Sequence, residues 1–446
     1  MARIYPFRGF RYSAEKLGVP LRRLVTQPYD KISPALQERY YQESPYNLVR
    51  IILGKKEPGD NGENVYTRAA GYLEEWIQKG VLRQEARPAI YPYFQEYRVP
   101  GAQERRRRRG FIALGRLEDY EARIIHRHER TLSGPKQDRL ELLRHTRAHF
   151  GQIFLIYSDP KGSVDKLLER LARQRTPQTV EDEYGAVHRL WVVTAADIVG
   201  QIQSLMADKK LIIADGHHRY ETALAYRDEC RAQSPTRDPE APYEKVMMTF
   251  INMDGPGVTI LPTHRVVGSL PQFDFGAFRK KASAYFDWYA YPFDRKGKEA
   301  TTARLLRDLK ERGQKRPSFG VYAAGEPALY LFLLKVNADL GKLLPEVSPR
   351  QRRLDLVLLH KLLLERSLGL DEESVRAQKN LTYVREWQEA VGVVEKGEAQ
   401  VAFLVNPIRV EQVREVAFAG ETLPQKSTDF YPKLLSGLTI YRLDSP

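Results

Sequence analysis

The sequence predicts an α+β protein, with helices and mixed α/β sheets, on three observations. Short apolar runs of strand length, such as 111–117 and 153–157, are bounded by turn residues. Other segments carry apolar residues at three- and four-residue spacing, as helices with one buried face do. The two kinds of segment alternate without a fixed order through 446 residues, a chain too long for one ordinary core. Three regions are therefore expected, 1–107, 108–269 and 270–446.

The first region opens with an extended segment at 3–7, a turn at Gln27-Pro28-Tyr29-Asp30 and a strand-like run at 47–53. A polar loop at 54–62, with Pro58 and three glycines, separates that run from the next element. Tyr66, Ala69, Ala70, Leu73, Trp76 and Ile77 then mark a helix over 64–79. Strands at 89–99 and 110–117 flank Arg105 to Arg109, which reads as a solvated hairpin turn. In the middle region a helix is expected at 138–150 and strands at 153–157, 187–193 and 210–214. A helix at 217–231 follows the last of these directly. Strands at 245–252 and 258–261 should form a hairpin around Asp254-Gly255-Pro256-Gly257. The last region mixes helices (301–312, 354–368, 410–419) with strands (318–323, 329–334, 400–405).

Hydrophobic residues at 42% and charged residues at 29% describe a globular chain. No apolar run approaches the roughly 20 residues that cross a bilayer. Residues 1–10 lack the apolar core of a secretory signal, and the single cysteine, Cys230, excludes an internal disulfide. The expectation is a cytoplasmic protein with Cys230 as a structural residue on a helix. The net charge of +14 favours an anionic partner without selecting a polymer. No aromatic residues interleave with Arg105 to Arg109 for base stacking, so nucleic acid is not the expected partner.

The chemistry concentrates at Asp215-Gly216-His217-His218-Arg219, which follows the apolar run Leu211-Ile212-Ile213-Ala214. Gly216 can take positive φ and lets a ligand approach the backbone. The N–H groups of the following helix would face that ligand. Helix starts favour acids, yet this one opens with two histidines and an arginine. An anion between them reverses the penalty, and Arg219 offers a two-pronged fork for phosphate. The alternative is that Arg219 pairs with Asp215 or Glu221 and the histidines are surface groups. A second cluster, Ile124-Ile125-His126-Arg127-His128-Glu129-Arg130-Thr131, places a carboxylate beside an imidazole. Glu129 could serve as a general base if its surroundings tune it, or the segment is a charged loop. His126 and His128 alone are a weak metal signal. His145 and His149, four apart on an expected helix, read as surface residues. Neither G-x-x-x-x-G-K-[ST] nor G-x-G-x-x-G after a strand is present, so any nucleotide is held by another device.

Along nearly its whole length the chain resembles the family known as domain of unknown function 1015. The motifs are Gln27-Pro28-Tyr29-Asp30, His128-Glu129-Arg130-Thr131, Lys136 with Asp138-Arg139, Ala214 to Glu221, Leu261-Pro262-Thr263-His264-Arg265, and Pro424-Gln425-Lys426-Ser427-Thr428 with Phe430-Tyr431-Pro432-Lys433. About a third of the chain also resembles the ParB/sulfiredoxin-like fold and, within it, the free-serine kinases. That resemblance rests on Gly216-His217-His218-Arg219, on His128-Glu129 and on the segment 258–265. It implies a central ParB-like domain with flanking α/β regions. It also implies that Glu129 takes the serine hydroxyl proton, with His128 and Asp215 in the catalytic set. Gly216, His217, His218 and Arg219 would hold the phosphates of ATP or ADP, with Mg²⁺ assisting. Thr131, Lys136, Arg139, Thr263, His264, Lys426, Ser427, Thr428 and Lys433 are the accessory candidates. The chain departs from the compact kinases in the longer spacing from Glu129 to Asp215 and in its large flanking regions.

The leading expectation is a small-molecule phosphotransferase acting on free L-serine. A nucleotide-responsive nucleic-acid-binding protein, as ParB relatives are, is the second reading, weakened because Pro235, Pro239 and Pro242 interrupt the chain where a helix-turn-helix would continue. A phosphatase is the third. A sulfiredoxin-like reductase would need a cysteine where His217-His218 stand.

Overall fold

The computed structural model describes residues 2–129, 134–234, 236, 238–294 and 297–444. The chain divides into two compact units. The first comprises Met1–Arg127, Thr131–Thr259 and Phe430–Pro446; the second comprises His128–Arg130 and Ile260–Asp429. The architecture is mixed α/β, as the alternation of strand-like and helix-like segments predicts.

In the first unit nine strands form one sheet. Its order is Ile125–His126, Leu211–Asp215, Ile153–Tyr157, Lys245–Asn252, Arg105–Arg116, Tyr91–Arg98, Val187–Leu190 and Gln178–Glu181, with Ile4–Tyr5 also paired to Arg105–Arg116. Leu211–Asp215 runs parallel to Ile125–His126 and antiparallel to Ile153–Tyr157. The central strands are apolar on both faces; one face meets helices, and on the other Phe154 packs against Phe430. Ser163–Arg173 buries Val164, Leu167, Leu168 and Leu171, and Ala196–Met206 buries Val199, Ile202 and Met206, all in the core that contains Phe111, Leu155 and Ile213. Each such side chain contributes about 1.5–3 kcal/mol by leaving water. The helix Val65–Gln78 starts where the Asn64 side chain accepts from the Tyr66 and Thr67 amides while Thr67 Oγ1 accepts from the Asn64 amide.

In the second unit six antiparallel strands form a sheet in the order Phe286–Pro292, Ala328–Leu334, Ser318–Ala323, Val401–Leu404, His264–Val267 and Leu381–Val384. Helices Lys298–Gly313 and Trp387–Glu395 bury Leu305, Leu309, Val391 and Val394 in its core. The expected helix at 354–368 is present in two parts, an α-helical turn at Asp355–Leu358 and a π-helix at Leu359–Ser367.

Several local expectations are corrected. The run at 47–53 is not a strand; Val49–Ile52 is helical, with Asn47 Oδ1 accepting from the Val49 amide and Val49, Ile51 and Ile52 buried. So short an apolar run does not distinguish the two states by period. The arginine run is not a turn. Arg105 to Arg109 begin the strand Arg105–Arg116 and pair with Tyr91–Arg98, Arg98 opposite Arg105. Strand Lys245–Asn252 pairs with Arg105–Arg116 and Ile153–Tyr157 rather than closing a hairpin with 258–261. His149 lies beyond the helix Gly134–Thr146, in the strand Ala148–His149, stacked on Tyr441. Burial lowers its imidazole pKa to about 4, so it is a packed neutral ring.

Candidate functional site

The strand Leu211–Asp215 buries Leu211 to Ala214, which anchors its end. Ile213 stands opposite Leu155, but Asp215 stands opposite Phe154, so the register shifts between them. Such an irregularity re-aims the side chain at the strand end. Gly216 follows at φ +91°, a left-handed conformation that glycine adopts without cost. A Cβ there would lie 3.0 Å from Arg219 Nη2. Helix His217–Gln233 starts at this glycine with no side-chain cap and no acid in its first turn. At this helix start the Gly216 amide donates to Asp215 Oδ1 at 2.7 Å, so the partial positive charge of the N-terminus faces the Asp215 carboxylate.

Arg219 is held in place from behind. Its Nη1 donates to the Gln152 carbonyl, and the guanidinium packs against Gly151, where a Cβ would come within 3.2 Å of Nη1. Arg219 Nη2 is 3.9 Å from Asp215 Oδ1, so that pair is loose. The close partner of Asp215 is Lys433, whose Nζ donates to Oδ2 at 2.9 Å. Burial opposes ionisation of Asp215 most strongly. Lys433, then Arg219, then Lys31 outweigh it and hold the carboxyl well below the usual carboxylate range.

Lys433 is itself fixed through its backbone. Gln95 Nε2 donates to the Lys433 carbonyl at 2.8 Å. Arg108, only 1% exposed, donates to the Tyr431 and Pro432 carbonyls and to Gln95 Oε1. Burial lowers the pKa of Arg108 to about 10, still high enough to keep it charged at neutral pH. A cavity of about 70 Å³ adjoins Arg219, with Tyr29, Arg139, Leu142, Phe150 and Thr222 in its wall. Thr222 is 4% exposed and its Oγ1 has no hydrogen-bond partner. Arg139 lies 4.2 Å over the Tyr29 ring and donates through Nη1 to the Ile52 carbonyl at 2.6 Å.

The second unit holds the other cluster. His128 is fully buried, its Nε2 2.8 Å from Thr428 Oγ1 and 3.8 Å from Glu129 Oε2. Glu129 Oε1 accepts from the Lys426 amide and Oε2 from Thr428 Oγ1 at 3.4 Å. Lys426 takes φ +54°, the left-handed region, which turns its amide toward that carboxylate. Ser427 Oγ donates to the Pro424 carbonyl at 2.6 Å. His264 accepts at Nδ1 from the Val405 amide, and the Thr263 carbonyl accepts from Arg265.

Among the sequence-derived candidates, Asp215, Gly216, His217, His218, Arg219, Arg139 and Lys433 thus belong to the first unit. His128, Glu129, Thr263, His264, Lys426, Ser427 and Thr428 belong to the second. Lys136 lies on the helix Gly134–Thr146, and Thr131 falls outside the described residues. Sequence reading missed Lys31, Gln152 and Arg108. Lys31 follows the Gln27 to Asp30 motif directly, a signal that was available. Arg108 was hidden in a basic run whose neighbours are ordinary ion-pair residues: Arg106 with Glu104, and Arg107 and Arg109 with Glu169. Among the described residues no group of three His, Cys, Asp or Glu side chains is arranged to hold a metal ion. No helix among them is long and apolar enough to cross a membrane.

Fold and site together define a mixed α/β protein that gathers Asp215, Arg219 and Lys433 at a strand-to-helix turn. The chain belongs to the family described as protein of unknown function DUF1015, whose model matches residues 4–357. No curated protein matches it. Among solved structures, a conserved hypothetical protein from Pyrococcus furiosus is 13% identical, with a TM-score of 0.34 over 72% of this chain and 93% of that one. A free serine kinase in complex with AMP is 12% identical, with a TM-score of 0.34 over 71% and 89%. SbnI with a C-terminal truncation, from Staphylococcus aureus, is 12% identical, with a TM-score of 0.34 over 73% and 87%. At these identities and scores the likenesses carry no functional weight.

Proposed function

We propose that the protein is a small-molecule phosphotransferase that holds nucleotide phosphates at the turn from Asp215 to Arg219. The observation that carries this reading is a cluster of cations. Three cations, Lys31, Arg219 and Lys433, act on one carboxylate, Asp215, beside an uncapped helix start. Cations gathered at a helix start favour a phosphate group. Gly216, His217, His218 and Arg219 are the proposed phosphate contacts, and the cavity beside Arg219 offers apolar wall to the rest of the ligand.

The specific reaction we put forward is transfer from ATP or ADP to free L-serine, giving O-phosphoserine. The serine oxygen forms the new P–O bond, the bond to the nucleotide breaks, and the hydroxyl proton passes to Glu129. Glu129 suits a base because the Lys426 amide and Thr428 hydroxyl hold its carboxylate in one orientation beside His128. Lys426 and Thr428 thereby act as positioning residues, and Arg139 stays an accessory candidate on the cavity wall. Mg²⁺ would arrive with the phosphates, which supply most of its oxygen ligands, and Asp215 is the carboxylate at the turn.

The test is incubation of the full chain with Mg²⁺, L-serine and ATP or ADP, followed by detection of O-phosphoserine. Product with either donor is expected, abolished by Glu129→Gln, which should leave nucleotide binding intact. No product with either donor, together with tight salt-sensitive DNA binding, overturns the proposal.

A further inference from the structure

The second unit contains a cavity that the phosphotransferase reading does not use. Its volume is about 340 Å³, and its wall includes His360, Tyr383, Gln425, Glu346, Glu365 and Glu372. His360 is 8% exposed, and its Nε2 has no hydrogen-bond partner. The Tyr383 hydroxyl and Gln425 Oε1, on the same wall, are also buried without partners. A buried polar atom left unpaired costs about 1–3 kcal/mol. Three of them around one cavity are explained if a ligand supplies the missing bonds.

Carboxylates outnumber cations on this cavity wall. Lys361 Nζ lies 2.8 Å from Glu365 and 3.7 Å from Glu372, and Glu346 also acts on it. Three carboxylates therefore share one ammonium. Behind Tyr383, Arg265 is fully buried, with its guanidinium carbon 5.3 Å from the Tyr383 ring centre. Burial first, then Arg265 and Lys361, lower the His360 pKa to about 3, so its imidazole is neutral. A ligand charge is thus welcome among the carboxylates and unwelcome near Arg265. Gln425 Oε1 can only accept, and Tyr383 and neutral His360 can each accept as well. Val347, Val357 and Leu423 supply apolar wall between these groups. His360 and Lys361 lie on the π-helix Leu359–Ser367, a form of helix frequent at functional sites.

We propose that this cavity is a second ligand site, for a small primary amine whose body carries hydroxyl or other uncharged donor groups. The ammonium sits among Glu346, Glu365 and Glu372, and the donor-bearing body meets Gln425, Tyr383 and His360. The proposal is independent of the phosphotransferase reading.

Isothermal titration of the full chain with glucosamine, ethanolamine and agmatine tests it, with glucose as the uncharged counterpart. At least one amine should bind while glucose does not. Tyr383→Phe and Glu372→Gln should each weaken that binding by about tenfold. Both changes are mild, and Glu372 is largely exposed, so folding should survive; circular dichroism and thermal melts confirm it. Arg219→Ala should leave amine binding unchanged. Absence of binding by all three amines, equal binding of glucosamine and glucose, or amine binding indifferent to both cavity variants overturns the proposal.

Discussion

Lys433 Nζ donates to Asp215 Oδ2 at 2.9 Å, joining residues 218 positions apart at the end of the strand Leu211–Asp215. The lysine side chain is 9% exposed and the aspartate 23%, so the pair is largely withdrawn from water. Removing one member of such a pair leaves a poorly solvated charge behind.

Lys433→Met should therefore destabilise the fold by about 3 kcal/mol in urea unfolding. Asp215→Asn in the same chain should recover part of that loss, because it removes the stranded carboxylate. Additive losses in the double variant would show that the two groups do not act as a pair.

Gly216→Ala tests the turn itself. An alanine at φ +91° costs about 1–2 kcal/mol, and its Cβ would meet the Arg219 guanidinium at 3.0 Å. Unfolding should show the loss of stability. Titration with AMP should show weaker binding, since Arg219 must move.

Arg219→Ala should weaken AMP binding about ten- to hundredfold by removing charge-assisted hydrogen bonds to phosphate. Arg219→Lys should fall between the two proteins, keeping the charge but losing the planar fork. Unchanged AMP affinity in Arg219→Ala, measured by calorimetry, would remove the turn from consideration as the phosphate site.

His264 gives a pH prediction. Burial first, then Arg265, lower its pKa to about 4, and Nδ1 accepts from the Val405 amide, which requires the neutral ring. The folded state binds this proton less readily than the unfolded chain, whose histidine titrates near 6.5. The stabilising contribution is therefore complete above about pH 6.5 and is lost as the pH falls toward 4. His264→Gln should flatten stability against pH across that window in denaturant melts. An unaltered profile would assign the acid sensitivity elsewhere, with His149, lowered to about 4, and His360, lowered to about 3, as the next groups to replace.

The helix over 65–78, the strand 153–157 and the strand-to-helix turn at Asp215-Gly216 were readable because each has a local cause: a capping asparagine, an apolar run, a glycine at a strand end. The unusual charge of that turn was readable too, since two histidines and an arginine at a helix start conflict with the helix dipole. Val49–Ile52 was misread because so short an apolar run fits a strand as well as a helical turn, and the Asn47 side chain that precedes it is fixed by donating to the distant Arg23 carbonyl.

The sequence by itself determined the mixed α/β class, the elements with strong periodicity and the strand-to-helix turn at Asp215 to Arg219. Tertiary structure alone decided which strands pair, so that 245–252 joined 105–116 and 153–157 instead of its neighbour in the chain. It also decided that Arg108 is buried beneath the 431–433 backbone and that Lys433, not Arg219, is the close partner of Asp215. Propensity and capping act over a few residues and leave a pattern in the chain. Charge pairing and desolvation depend on distances through the folded interior, and no local pattern records them.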